Sequence, residues 1–300
     1  MALLAVASAS SSAAAAPSGK PGAFVGAAAC ARCHPKEHAR WRKDWHARAL
    51  SPARPEFVAG DFGSAAAPVH FRGSSSEAFL LKGPRYLMRT RDREGALRDF
   101  PIDWLVGGRR MQDTITVLPD GRFQVLPVYF HVTEKGGEAP RGWVDYTENK
   151  QGALTPDHPF FWSNFRRTAN HECLDCHVTG LAVGYQPAVG GGRFTTRFAD
   201  AGVACESCHG PGGRHAATKD PADIVQPREL EPAAGMALCG QCHGPRNPLF
   251  PLLDAAHRYR PGQGYDDHYQ ALVIVDGHAR SGDYFADGRP KTSSFEYQAL

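Results

Sequence analysis

The clearest pattern of apolar and polar positions lies between residues 111 and 132. Two runs of β-prone residues, TITVL and RFQVLPVYFHV, flank Pro119, Asp120 and Gly121. These three residues are typical of a tight turn, so the pattern predicts a β-hairpin. A second strand pair is predicted over residues 77–90, around a Gly-Pro turn. Both pairs lie in residues 52–157, which contain no cysteine and which we interpret as a β-rich insert.

Good helix formers and aromatic residues follow Pro35 up to Leu50. Proline suits the first turn of a helix, so a helix is predicted over residues 36–50. A shorter helix-like run, GMAL at residues 235–238, precedes the last cysteine group. With 32 Gly and 23 Pro, much of the remaining chain is expected to be irregular. The sequence thus predicts an α+β chain with short helices.

The first 21 residues are rich in Ala and Ser. The run MALLAVA resembles the end of a signal-peptide apolar region, and residues 14–16 form a cleavage site of the Ala-x-Ala kind. A disordered tail is the alternative. No later segment approaches the ~18 apolar residues of a membrane span. The net charge of +3 is too weak to favour nucleic acid or a membrane surface.

All eight cysteines fall into four groups of the form Cys-x-x-Cys-His, at residues 30–34, 173–177, 205–209 and 239–243. Two thiols at this spacing can reach both vinyl groups on one edge of a porphyrin, and the adjacent imidazole can bind the iron. The pattern therefore predicts four c-type haems. The covalent attachment residues are Cys30, Cys33, Cys173, Cys176, Cys205, Cys208, Cys239 and Cys242, and the proximal iron ligands are His34, His177, His209 and His243.

Zinc and disulfides explain this pattern less well. Two Cys-x-x-Cys pairs can form a structural zinc site, but zinc does not require a histidine after every pair. Disulfides set no fixed two-residue gap and need no histidine either. Because c-type haem is normally attached outside the cytoplasmic membrane, the motifs favour a periplasmic or otherwise exported protein.

The order of these features resembles the cytochrome c554-like multihaem cytochromes. The first haem group is followed by Trp41 and His46, the second by Val-Thr-Gly, and the third by a Gly-Pro-Gly loop and His215. The resemblance runs from residue 24 to residue 300 in motif order. It implies an irregular, short-helix architecture wrapped around four haems, with residues 22–51 as the first haem module, residues 52–157 as the insert and residues 158–300 as a three-haem module.

The last residues, 284–300, resemble the segment that precedes a further haem group in longer relatives. We therefore expect a shortened or truncated member of the family at the C-terminus.

In such proteins a later histidine often binds the iron of a neighbouring haem from its distal side. The resemblance implies this role for His46 and His215. At 100° per helical residue, His34 and His46 would point about 120° apart and so serve different haems. The Gly-rich loop at residues 210–213 would turn His215 away from its own haem. The remaining candidate distal ligands are His70, His171, His257, His268 and His278.

The axial ligands decide what each haem can do. An iron bound by histidine on both sides has no substrate position and cycles between ferric and ferrous states with little reorganisation, which favours electron transfer. Of the 14 histidines, ten remain after the proximal four, enough for four such haems. The leading interpretation is an electron carrier between a quinol-linked donor and a terminal reductase or extracellular acceptor. It would not be transmembrane, although peripheral contact with a membrane complex is compatible with it.

Two alternatives stay open. An enzyme of the hydroxylamine-oxidoreductase or nitrite-reductase type would need an open iron. No lysine replaces a proximal histidine, and no Tyr/His/Arg pocket can be assembled from the sequence. A filament subunit built from stacked haems is the other alternative, which the sequence does not distinguish. The preference for a non-catalytic carrier rests on resemblance rather than on chemistry.

Overall fold

The structure, a computed structural model, describes residues 22–62, 76, 78–82, 84–132, 141–145, 154–189, 191–244, 246–251 and 255–271 of the 300-residue chain. Its helices are α1 Ala27–Cys30, α2 Pro35–Trp41, α3 Leu174–His177, α4 Cys205–His209, α5 Gly213–Thr218 and α6 Pro232–His243. Short 3₁₀ turns lie at His46–Arg48, Phe165–Arg167, Ala169–His171, Pro221–Asp223, Pro227–Glu229 and Ala255–His257.

The strands are β1 Leu50–Pro52, β2 Ala78–Lys82, β3 Arg85–Arg91, β4 Leu97–Pro101, β5 Trp104–Gly107, β6 Met111–Val117, β7 Phe123–Val125, β8 Val128–His131, β9 Gly142–Asp145, β10 Val178–Thr179, β11 Tyr185–Gln186, β12 Arg193–Phe194, β13 Asp200–Ala201, β14 Arg246–Pro248 and β15 Tyr269–Ala271. These strands pair in antiparallel fashion. Short helices and antiparallel strands together confirm the predicted α+β class.

The larger sheet has six strands, with β1, β5, β6, β8 and β9 in that order and β7 paired to β6. The predicted hairpin is confirmed as β6 and β7, in which Ile115 pairs with Val125. The N–H of Leu118 donates to the carbonyl of Arg122 at 2.8 Å and closes the turn. Gly121 has a φ of 81°, in the left-handed region that glycine adopts without strain. The second predicted pair is confirmed as β2 and β3.

One apolar core joins the β-rich region to the segment that carries the second cysteine motif. Leu50 of β1 and Ile115 of β6 belong to the same buried cluster as Leu174 of α3 and Phe194 of β12. At the tip of the hairpin, the N–H of Phe194 donates to the carbonyl of Asp120 at 2.8 Å. The sheet therefore serves as a rigid support for the second motif.

The helix predicted over residues 36–50 is shorter in the structure, because α2 ends at Trp41. Oδ1 of Asp44 accepts the backbone N–H of His46 at 2.9 Å. A short polar side chain that binds a nearby backbone group competes with helix formation, so the chain turns here. The prediction was wrong beyond Trp41, since propensity does not reveal which side chain will form such a local bond.

The helix-like run before the fourth motif is confirmed. It lies in α6, whose 12 residues begin at Pro232 and end at His243. Over the ranges that the structure describes, no helix is both long enough and apolar enough to cross a membrane. The N-terminal residues 1–21 and the tail 272–300 lie outside those ranges.

Candidate haem-binding site

Each Cys-x-x-Cys-His motif contains a helical turn or ends a helix. In the first motif the N–H of His34 donates to the carbonyl of Cys30 at 2.9 Å, and in the second the N–H of His177 donates to Cys173 at 3.1 Å. The third motif forms α4 and the fourth ends α6. Residues three and four apart share one face of a helical turn. Such a turn therefore presents two thiols and one imidazole on the same side of the backbone.

The motifs are neighbours in space although they are far apart in sequence. The thiols of Cys30 and Cys205 lie close enough to shift each other's pKa, and Sγ of Cys242 lies 3.9 Å from the carbonyl oxygen of Cys176. The neighbouring Cys30 thiol lowers the pKa of the Cys205 thiol to about 7. The first motif thus touches the third, and the second touches the fourth.

The thiols are free, with no disulfide among the eight cysteines. Within the described part of the chain, no three His, Cys, Asp or Glu side chains form a group that could hold a metal ion directly. A structural zinc site needs four such ligands. Cys208 also lies close enough to Cys239 for their charges to interact. The first motif therefore neighbours the third, the second neighbours the fourth, and Cys208 and Cys239 approach each other between the third and fourth motifs.

His34 of the first motif lies beside His215, which follows the third motif. Their ring centroids are 6.2 Å apart, with the ring planes at 27°. Nδ1 of His215 is 2.8 Å from the carbonyl oxygen of Asp220. When Nδ1 donates its proton to this carbonyl, Nε2 is left with a lone pair that can bind a metal ion.

His46 lies beside His243 of the fourth motif. Here the ring centroids are 6.1 Å apart and the ring planes are perpendicular. Nδ1 of His46 is 2.8 Å from Oδ1 of Asp44, the oxygen that also binds the backbone N–H of His46. The same carboxylate therefore ends the helix and orients the imidazole with Nε2 available.

These two separations fit a shared metal ion. Two imidazoles bound to one ion through nitrogen, with bonds of about 2.0 Å, have their ring centroids roughly 6 Å apart. Each observed pair joins a motif histidine to a histidine outside the motifs, as a haem with two axial histidines requires. The donor set of each pair therefore fits haem iron, with covalent attachment by the two thiols of the same motif.

The other two motif histidines have the same orienting bond. Nδ1 of His177 is 2.8 Å from the carbonyl oxygen of Ala49, and Nδ1 of His209 is 2.9 Å from that of Val225. Burial lowers the pKa of His177 and so favours the neutral imidazole that a metal ion binds. Both residues are thus prepared to bind through Nε2.

Three further candidate distal ligands contact aromatic side chains. The ring of His171 stacks on that of Phe165 with the centroids 4.6 Å apart, and the ring of His257 stacks on that of Phe250 with the centroids 4.4 Å apart. His268 has its Nδ1 2.8 Å from the carbonyl oxygen of His257, the same kind of bond as in the paired histidines. The candidates His70 and His278 lie outside the described residues.

The sequence interpretation missed a buried charge cluster beside the second and fourth motifs. Asp175, between the two cysteines of the second motif, accepts hydrogen bonds from Arg246 at 2.6 Å and from Arg258. The side chains of Asp175 and Arg246 are 8% and 9% exposed. The Arg246 guanidinium also lies 3.9 Å from the ring centroid of Tyr269. No local signal could have revealed this cluster, because the two arginines follow Asp175 by 71 and 83 residues.

The sequence matches a family model described as cytochrome c554 and c-prime over residues 29–61 and 148–210. These segments contain the first three motifs and together make up about a third of the chain. No curated protein gives a significant match.

The fold is similar to that in the crystal structure of the outer cell wall cytochrome OcwA, at 19% identity and a TM-score of 0.57. The similarity covers 91% of this chain and 50% of that one, so this chain spans about half the length of the cytochrome it matches. An undecahaem cytochrome from the S-layer of Carboxydothermus ferrireducens is similar at 20% identity and a TM-score of 0.41, over 75% of this chain and 26% of that one.

Three observations now agree on the class of protein. The chain carries four Cys-x-x-Cys-His groups, its first three groups match the cytochrome c554 model, and its fold is shared with part of a solved cytochrome. The chain is thus similar to multihaem c-type cytochromes, and over its first three motifs to the cytochrome c554 family.

Proposed function

We propose that the protein is an exported electron carrier with four covalently attached c-type haems. The observation that carries this proposal is the pair of histidine contacts, His34 with His215 and His46 with His243, at separations of 6.2 and 6.1 Å. Each contact would fill both axial positions of one iron. Bound haem supplies an iron that alternates between ferric and ferrous states.

The residues of the chain would hold that iron in one coordination state. In the proposed arrangement, His215 is the distal partner of His34, and His46 is the distal partner of His243. Histidine on both sides leaves no position for a substrate and keeps the coordination the same in both oxidation states, which favours electron transfer. For His177 and His209, the distal partners are proposed to come from the remaining candidates His70, His171, His257, His268 and His278.

The contacts between motifs support an order of electron transfer. Cysteines attach to the edge of a porphyrin, so neighbouring cysteines of two motifs would bring two haem edges together. Cys30 neighbours Cys205, Cys242 neighbours Cys176, and Cys208 is near enough to Cys239 for their charges to interact, which supports the order first, third, fourth and second. We propose that electrons pass along this sequence between a redox donor and a redox acceptor protein.

Export is part of the same proposal. It is supported by the haem-attachment motifs, by the signal-peptide-like residues 1–21 and by the shared fold with a cytochrome of the outer cell wall. The division into a first haem module at 22–51, an insert at 52–157 and a three-haem module at 158–300 also remains a proposal. In it, the insert acts as a scaffold that covers haem edges.

Low-temperature electron paramagnetic resonance of the fully oxidised protein tests this function. We expect four low-spin ferric signals. We also expect the mass of the denatured protein to include four haems. A high-spin signal near one spin per protein would show an iron with an open position. That result would contradict the carrier assignment for that haem and would make nitrite, hydroxylamine and tetrathionate its candidate substrates.

A further inference from the structure

The third motif contains a carboxylate that is almost fully buried. Glu206, the residue after the first cysteine of that motif, is 2% exposed. Its Oε1 accepts the N–H of Gly212 at 2.6 Å, its Oε2 accepts the N–H of Gly26 at 2.8 Å, and the N–H of Val25 lies 3.0 and 3.1 Å from the two oxygens. Burying a carboxylate is costly unless its lone pairs are satisfied, and here backbone N–H groups satisfy them.

The two oxygens of Glu206 hold two different segments. Gly26 immediately precedes α1, which leads through Cys30 to His34. Gly212 immediately precedes α5, which carries His215. One carboxylate therefore connects the segments that deliver the two rings of the 6.2 Å pair.

The junction around this carboxylate is closely packed. A Cβ atom added to Gly212 would lie 3.2 Å from Oε1 of Glu206 and 3.4 Å from Cγ2 of Val25. A second bond crosses the same gap, because the N–H of Gly213 donates to the carbonyl of Ala23 at 2.9 Å. The distance between the two segments is thus fixed by direct contacts.

We propose that Glu206 is a positioning residue for the axial ligands of the first haem, although it lies in the motif of the third. Through Gly26 and Gly212 it sets the spacing between His34 and His215. This inference rests on the proposed function, because it assumes that these two histidines bind one iron. It connects two haem sites, because a residue of the third motif determines whether His215 is placed to bind the first iron.

The chemistry of the two oxygens makes the proposal specific. Glutamine would keep the size of the side chain but would replace one acceptor oxygen with an NH₂ donor. That NH₂ would face a backbone N–H, so the variant could hold either Gly26 or Gly212, but not both. Two acceptor oxygens are therefore needed.

Asp200 offers a matched control. It is a partly buried carboxylate of β13 that lies against the start of α1, and both of its oxygens accept the N–H of Ala27, at 3.2 and 3.0 Å. The N–H that it binds belongs to the α1 segment alone. Asp200→Asn therefore perturbs the entry to α1 while the Glu206 contact to Gly212 remains.

The test compares three variants of the holoprotein, each first shown by mass to carry four haems. His215→Ala should raise the high-spin signal from none to about one haem in four. Glu206→Gln should produce a high-spin signal at the same haem, whereas Asp200→Asn should remain low-spin. Added imidazole should return both high-spin variants to low spin, since it replaces a displaced distal ligand, which a general loss of structure would not allow.

The outcomes separate this inference from the function on which it rests. An unchanged spectrum for His215→Ala would overturn the ligand pair itself. A high-spin His215→Ala together with a fully low-spin Glu206→Gln would overturn the role of Glu206 and leave the pair standing. If Glu206→Gln fails to mature, Glu206→Asp is tested in its place. The aspartate side chain is shorter by about one methylene, so its carboxylate can reach only one of the two segments. A low-spin four-haem Glu206→Asp protein would then reject the proposal.

Discussion

The imidazole rings of His46 and His243 lie perpendicular to each other with their centroids 6.1 Å apart. His46 follows the first cysteine motif, and His243 ends the fourth. The pair of His34 and His215 spans the chain in the same way. Both pairs bring a residue of the N-terminal motif region beside one of the C-terminal half.

Removing the imidazole of His46 should leave one haem iron without its distal ligand. His46→Ala is expected to convert one haem to high spin and to raise its reduction potential, because a vacant axial position favours ferrous iron. Spin quantitation by paramagnetic resonance and a redox titration measure the two effects. His38→Ala is the control, since the His38 ring packs 5.3 Å from Trp41 on α2. An unchanged low-spin spectrum in His46→Ala would exclude it as a ligand.

The buried cluster around Asp175 should be important for stability. Asp175→Asn would leave the cations of Arg246 and Arg258 buried with less compensation, and should lower the free energy of unfolding by about 3–5 kcal/mol. Urea denaturation of the holoprotein, followed by circular dichroism, measures this loss.

The control for that experiment is an ion pair in the insert. Asp99 accepts two hydrogen bonds from Arg89, at 2.6 and 3.0 Å, but the two side chains are 22% and 40% exposed. Asp99→Asn should therefore cost less than Asp175→Asn, about 1 kcal/mol, because water and salt screen the exposed pair. Equal losses for the two substitutions would show that the Asp175 cluster contributes no more than a surface pair.

Two glycines of similar backbone conformation should respond differently to alanine. Gly95 and Gly121 have φ values of 82° and 81°. Gly95→Ala meets no atom within 4 Å and should cost only the backbone strain, about 1–2 kcal/mol. At Gly121 the new Cβ would lie 2.2 Å from the carbonyl oxygen of Phe194, so the loss should be larger by about 1–3 kcal/mol. Thermal unfolding compares them, and equal shifts would mean that the hairpin tip can move away from Phe194.

Covalent attachment can be tested within one motif. Cys208→Ser removes one thioether, so the protein should lose a haem or fail to mature. The mass of the denatured protein measures this directly. Ser207→Ala, which removes only a hydroxyl 2.8 Å from that of Thr179, should keep all four haems. A full four-haem mass with normal attachment in Cys208→Ser would contradict the assignment of this motif.

Local features of the sequence predicted part of the structure well. The hairpin of β6 and β7 was predictable because its turn residues and both β-prone runs are contiguous. The cysteine groups were recognisable because thioether chemistry imposes a fixed spacing on two thiols and one imidazole. The extent of α2 was not predictable, since helix propensity does not reveal local bonds such as that between Asp44 and His46, just beyond its end.

Long-range relationships could not be predicted in the same way. The sequence provided His46 and His215 as candidates, but it did not reveal which motif histidine each would approach. Glu206 and Asp175 occupy spacer positions between cysteines, where side-chain identity is not constrained by haem attachment. Their roles come from partners far along the chain, such as Val25, which precedes Glu206 by 181 residues.

The junction between Glu206 and the start of the chain has a consequence for assembly in time. The 181 residues from Val25 to Glu206 take roughly 10–40 s to synthesise at about 5–20 residues per second. A chain exported from its N-terminus would present the first motif during that whole interval without the carboxylate that positions its second ligand. Of these two motifs, the one made earlier is therefore completed only after the later one has emerged.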